Sequence, residues 1–518
     1  MRDLPEGKLP GFPLMRPDLV NGLEARSSRP TLFVHSSMRR IVMTTHDATR
    51  TAAIRSIMAR STRTLTKVRM GFPLFCLILL VEAITPSSGF GQDIEREPIQ
   101  YSTARPKNAI SDLQKKLRSG EAKLEFESEH GYLEALLREL KIPTSSQMLV
   151  FSKTSLQRDR INPKTPRAIY FNDDVMVGFC YRGEVIEIST PDDALGTAFY
   201  TLDQTRESRP VLTRQTESCL ICHSSSSTRG LPGHLVRSLF TDREGNPLLS
   251  SGSYRTDHTS PLVERWGGWY VTGTSGQQQH MGNLLCEGSK GPDTLENSEG
   301  VNVTDLKDRF TTSVYPTPHS DIVALMVLEH QVGMLNRLAR ANLETRMALH
   351  YESEFNKALG QPADQQSPSA RSRIRSACDD VVRYLLFEDE ISLTDPIKGS
   401  SPFAEEFTAR GPHDTKGRSL HQLDLKTRLF RYPCSYLIHS RAFNKLPSET
   451  KDVIYQQLWD ILNDHPPEKS YRKPLVIAPE DRLAILEILR ETKPDLPGYW
   501  KAGSDVSEGS KAEVKPGQ

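Results

Sequence analysis

At 518 residues the chain is too long for one compact domain by the usual size prior, so more than one folded unit is expected and a small single-domain carrier is a poor match. Hydrophobic residues at 37% and charged residues at 25% are ordinary globular values and exclude global disorder. The net charge of +1 hides an asymmetry: residues 1–91 hold 13 Lys and Arg against 6 Asp and Glu, leaving 53 against 59 downstream, and a mildly acidic body gives no reason to expect a nucleic-acid partner.

Residues 58–70 carry Arg60, Arg63, Lys67 and Arg69 with no acidic residue, and residues 72–81 form an apolar run. That order is the basic and hydrophobic region of a secretory signal, and small residues before Gly91 suit cleavage there. A membrane-spanning helix needs roughly 20 apolar residues, about twice this run, so 58–91 is read as a signal peptide with no span left after cleavage. Residues 1–57 are then either upstream of the true start at Met58 or an unstructured extension. Cys76 follows Phe75, where a lipoprotein signal would want a small residue, so lipid attachment is not expected.

Further along, apolar residues recur at three-to-four spacing over 108–117 and 132–140, which predicts short helices and makes 92–145 a helical lead-in. The pattern then changes. Residues 168–171, 175–181 and 185–189 are β-prone runs separated by Asn172-Asp173-Asp174 and Arg182-Gly183, so a meander is expected. Runs at 197–202, 235–240 and 269–272 extend the habit and set strands on both sides of residues 219–223. A polar stretch over 287–299 reads as a surface loop. Ser320 and Asp321 cap a helix running to about Tyr351, the longest periodic segment. Pro362 and Pro368 in polar surroundings predict a linker over 360–376. Helices are expected at 378–387, at 449–462 behind Ser448, and at 480–491 begun by Pro479, giving a helical region over 377–500 and a solvated tail over 501–518. The expected class is α+β: a strand-rich middle section within a domain over 146–359, with helices before and after it.

Cys219-Leu220-Ile221-Cys222-His223 is the sharpest signal in the chain. In c-type haem attachment two thiols add to the two porphyrin vinyl groups, a two-residue gap lets both reach one ring edge from a single helical turn, and the adjacent His ligates the iron. The other readings are a redox or structural disulfide and half of a zinc site. A thioredoxin-like pair belongs between a strand and a helix of a βαβ unit, and zinc needs a partner pair, whereas Cys180, Cys286, Cys378 and Cys434 are each isolated in sequence. Those four can form up to two disulfides in an oxidising compartment.

By this motif the chain resembles c-type cytochromes. More specifically it is similar to a family of large exported bacterial proteins with a single haem motif and little assigned biochemistry, through SSQMLVFSKTS from Ser145, PRAIYFNDDVMVGF from Pro166, GTAFYTLDQ from Gly196, RWGGWYVTG from Arg265 and HMGN from His280. The resemblance implies one covalent haem c on Cys219, Cys222 and His223, and nothing finer. For a sixth iron ligand the candidates are His330, Met281 and His280, with His234, His258 and His319 behind them. Met326, His330 and Met334 share one stripe of the long helix, and core packing accounts for that stripe equally. Trp266 and Trp269 beside Arg265 suit a porphyrin face and a propionate, or plain core packing with a surface Arg.

The expected function is electron transfer with redox partner proteins in the periplasm, rather than catalysis of a defined reaction. The rivals are a peroxidase-like haem enzyme or gas sensor with an open sixth position, and a non-haem exported protein with a CxxC disulfide. Mass spectrometry of the mature protein is expected to find an N-terminus at or near Gln92; an intact chain from Met1 recovered from cytosol would overturn the export reading.

Overall fold

The computed structural model describes residues 94–465 and 474–501. The expected signal peptide and the extension before it lie outside the described residues, as does the tail after Lys501. Two helices open the fold, α1 (Ala109–Ser119) and α2 (Leu133–Glu139). Asn108 caps α1 by accepting from the backbone of Ile110 and Ser111, and Gly120 ends it in the left-handed region.

Six strands follow: β1 (Met148–Val150), β2 (Arg167–Phe171), β3 (Met176–Phe179), β4 (Val185–Asp192), β5 (Gly196–Asp203) and β6 (Leu212–Gln215). They pair antiparallel in sequence order, and Asn172 closes the β2–β3 turn by accepting from Asp174 and Val175. Alternation sorts the side chains to two faces. One face carries Ala168, Tyr170, Val177, Ile186, Ile188 and Tyr200 and is buried against Ile110, Leu113, Leu133 and Leu136 of the lead-in helices. The other carries Met148, Val150, Phe171 and Met176, which join a second core. On that second face Arg167, Ile169, Glu187 and Ser189 stay only half-buried.

The one-turn helix α3 (Leu220–His223) comes next, then two-residue strands β7 (Arg237–Ser238), β8 (Tyr254–Arg255) and β9 (Gly273–Thr274). Strands do lie on both sides of the motif, but those after it are far shorter than the runs predicted at 235–240 and 269–272. Gly267, Gly268 and the bend at Trp266, whose φ is +66°, precede the second of these, which forms only isolated bridges, Trp269 to Val150 and Thr272 to Asp321.

The second core is built around α4 (Ile322–Ala358), 37 residues long. Its first turns are buried on every side, as a helix at the centre of a core must be. Helix α5 (Pro368–Leu385) packs along it, followed by β10 (Lys398–Gly399), α6 (Phe403–Arg410), α7 (Arg441–Asn444), α8 (Ser448–Leu462) and α9 (Pro479–Thr492). The linker predicted over 360–376 is therefore mostly helix: Ser367 caps α5 and Pro368 occupies its first turn, where a missing N–H costs nothing. The described residues all lie within one compact unit. No described helix is long and apolar enough to cross a membrane.

Asp321, fully buried, starts α4. Its Oδ1 accepts from the backbone of Val323 and Ala324, and its Oδ2 accepts from the backbone of Ser400 and Ser401 and from the Ser401 hydroxyl. Asp321→Ala strands four N–H groups, two buried and two part-buried, and is expected to cost about 3–5 kcal/mol in urea unfolding. Asp321→Asn should also be costly, since its amide would face two N–H donors; a loss under about 1 kcal/mol for both variants would contradict this account.

Candidate functional site

Four residues after β6 the chain makes a single helical turn. The backbone of Cys222 and of His223 donates to the Cys219 carbonyl, at 3.3 and 3.0 Å. Residues spaced by three and four share a helix face, so Cys219, Cys222 and His223 project on one side. Leu220 anchors the turn from another side in a small cluster with Leu195, Leu231, Leu343 and Met347, while Ile221 is 79% exposed. Both thiols are free, Cys219 half-buried and Cys222 exposed. Burial, with the Glu187 carboxylate nearby, pushes the Cys219 thiol up to about 11, so it stays protonated at neutral pH.

The segment after His223 folds back to hold it. Ser225 donates to the Cys222 carbonyl and Thr228 to that of His223, at 2.8 and 3.1 Å. Gly233 then grips His223 twice: its N–H donates to the His223 carbonyl, and its own carbonyl lies 2.9 Å from His223 Nδ1. Asn336 on α4 fixes that segment, accepting from His234 N and donating to His234 O. A Cβ at Gly233 would stand 2.7 Å from Asn336 Oδ1, so a side chain there would displace the amide that fixes His234.

A carbonyl at Nδ1 demands the proton there. Burial lowers the imidazole's pKa, so the ring is neutral, with Nδ1–H donating and the Nε2 lone pair free on the far side. Phe199 packs against the ring at 4.8 Å. On the half-buried sheet face, Arg167 pairs with Glu187 at 2.5 Å across Gly178, whose missing Cβ leaves room for the guanidinium. Arg167 Nε–H is buried and finds no acceptor, and both charges act on Cys219 and His223. Two free thiols and a free imidazole Nε2 on one helical face fit a covalently attached haem, with Arg167 as an unfilled donor beside them.

The structure brings none of the three leading sixth-ligand candidates to this turn. His330 spends both ring nitrogens elsewhere, Nδ1 on His258 Nδ1 at 2.9 Å and Nε2 on Ser435 Oγ at 2.7 Å, and it stacks on Tyr384 and Phe387. His280 accepts from Gly282 N and packs on Trp266. Met281 accepts from Ser238 Oγ among Phe240 and Cys286. His258 is used by His330. His234 follows Gly233 directly; it is buried, and its Nδ1 lies 3.4 Å from Thr197 Oγ1. His319 lies beside Gln147, which its carbonyl binds.

Of the two readings of Arg265, propionate partner or surface residue, the structure excludes the second: Arg265 is 3% exposed, pairs with buried Glu329 at 3.2 Å, and donates to the carbonyls of Ser260 and His258. Trp266 and Trp269 pack the core. Cys180, Cys286, Cys378 and Cys434 are all free and buried, so the structure pairs none of them. Among the described residues no three His, Cys, Asp or Glu side chains converge as a metal cluster, and the zinc reading finds no further ligands there. Gly233 and Asn336, which position His223, were invisible to motif reasoning because one acts through its backbone and the other comes from a distant helix; the turn signal Pro232-Gly233 is their one trace in sequence. No protein-family model, curated protein or solved structure matches the chain.

The many buried imidazoles set an acid limit. Burial holds His234 and His258 down to about 3, His280 and His439 to about 4, and His330 well below its usual value. Their stabilisation is complete above pH 6.5 and is lost as pH falls toward those values, because the unfolded chain takes up the protons. Glu329 and Glu390, raised by burial to about 7, act oppositely, losing stability as pH rises from about 4.5 to 7, but they are two against five. The unfolding free energy from urea titrations is expected to fall from pH 6.5 downward, by about 3 kcal/mol or more at pH 4.5. A flat profile over that range would contradict the burial of these rings.

Proposed function

We propose that the chain is an exported bacterial c-type cytochrome, carrying one haem c joined through Cys219 and Cys222 and ligated by His223, and that it transfers electrons to and from partner proteins in the periplasm. The observation that carries this reading is the grip of Gly233 on His223. A histidine whose Nδ1–H is held by a carbonyl is fixed in the tautomer a metal ligand needs, and the bond raises the donor strength of Nε2.

When bound, haem supplies a one-electron iron couple whose potential follows from axial ligands, burial and nearby charge. The chain's own residues do the rest. Cys219 and Cys222 fix one edge of the ring to the turn, Gly233 and Asn336 hold the ligand against α4, and the Arg167 and Glu187 pair sets the local field. Exposure of Cys222 and Ile221 supports electron exchange at that edge with a docked partner rather than turnover in a sealed pocket.

A second reading, a haem with an open sixth position that binds a small ligand, is favoured by the engagement of His330, His280 and Met281 elsewhere. The absorption spectrum of the ferric protein separates the two: low-spin features support the carrier, and high-spin features with ready carbon monoxide binding on reduction support the ligand-binding protein.

Protein made in the periplasm of a host with cytochrome c maturation is expected to stay red and haem-stained after denaturing electrophoresis. Cys219→Ala with Cys222→Ala should lose the stain while circular dichroism shows the fold kept. A colourless wild type with a Cys219 to Cys222 disulfide would sink the proposal.

A further inference from the structure

Between the loop that follows His223 and the long helix lies a cleft of about 290 Å³. Four guanidinium groups line it: Arg229 from the loop, Arg255 from β8, and Arg337 and Arg340 one turn apart on α4. The carboxylates facing them are Asp257 and Asp380. Three of the cations reach for the same anion. Asp380 stands 3.4 Å from Arg229 and 3.7 Å from each of Arg337 and Arg340. A guanidinium with a carboxylate of its own closes to about 2.7–2.9 Å. One carboxylate shared by three cations closes on none of them, and the cleft keeps a positive surplus. Asp257, whose Oδ1 accepts from the backbone and hydroxyl of Thr259, offsets one more charge, and four guanidinium groups still face two carboxylates.

The donors are also held ready. Arg337 lies over the Tyr384 ring at 3.7 Å, and its Nε is buried without a hydrogen-bond acceptor. His234, 3% exposed, lines the same cleft with its Nε2 unpartnered. Forked guanidinium donors around a part-enclosed space match planar or tetrahedral oxyanions, and attraction there is less screened than at an open surface.

We propose that this cleft binds a small oxyanion, a phosphate or a dicarboxylate, which ties the loop behind the attachment turn to the long helix. The anion takes the place that Asp380 fills incompletely, bridging Arg229 to Arg337 and Arg340. Neither the cleft nor its charge depends on what is attached at Cys219 and Cys222.

Calorimetric titration of the full chain at constant ionic strength, with inorganic phosphate in one arm and succinate in the other, tests this and says which chemistry is preferred. Saturable one-site binding is expected for at least one anion. Arg229→Gln at an exposed position and Arg340→Gln at a partly exposed one should each weaken it about tenfold. Asp380→Asn should strengthen it, because the competing carboxylate is gone, an effect that a purely structural ion-pair cluster does not produce. No saturable heat with either anion, or affinities unchanged in both arginine variants and in Asp380→Asn, would overturn the proposal. Haem staining of the same preparation is a separate readout, so a colourless protein that binds phosphate rejects the cytochrome reading alone.

Discussion

One buried carboxylate fixes where the main elements of this molecule meet. Asp321 closes the start of the long helix with one oxygen and gathers residues 400 and 401 with the other. Its neighbour Ser320 donates to the Tyr270 carbonyl and accepts from Leu149 on β1, and Thr272 receives the backbone of Ile322. Sheet, connecting segment, helix and C-terminal region are therefore registered at one point. From there the helix runs about 55 Å. Along its length it presents Glu329 to Arg265, Gln331 to the β2–β3 turn, Asn336 to the segment gripping His223, and Asn342 to Asp193. A shift at its origin would displace all four contacts together.

Much of this was legible in the sequence, and the reasons are local. The alternation of β4, Ile186 and Ile188 inward with Val185 and Glu187 outward, is a period-two pattern that survives any tertiary context, and Asn172 marks the β2–β3 turn by its own hydrogen bonds. Asp321 was readable as a cap because capping is a local bond. Pro368 misled because proline ends one helix and begins another, and only the Ser367 before it distinguishes the cases. The ligand candidates failed for a different reason. His330 takes its partners from residues 72 and 105 positions away, His258 and Ser435, and no stripe on a helix announces such partners. Its stripe also carried no information about direction, because that part of the helix is buried all round.

The attachment turn and the buried polar groups follow opposite designs. His330 and Arg265 spend their polar atoms on partners deep in the core, His258 and Ser435 for the one and Glu329 with two backbone carbonyls for the other, which fixes a single packing and removes both from chemistry with a ligand. At residues 219–223 the backbone is held firmly by Gly233 and by hydroxyls of Ser225 and Thr228, while the reactive atoms are left uncommitted. Rigid support under unspent side chains is what preorganisation requires of a site on a loop.

Pairing of every strand with its neighbour in sequence makes the sheet a product of short-range contacts, with no strand waiting for a distant one. A chain emerging from its N-terminus can thus complete the sheet when Gln215 is free, and the cysteines follow at once, packing His223 on Phe199 of a strand already in place. Asn336, which locks the returning segment, arrives only with the long helix. The order of emergence gives the thiols an interval in which they are displayed on a finished surface and not yet clamped, and any covalent modification of them has its easiest access then.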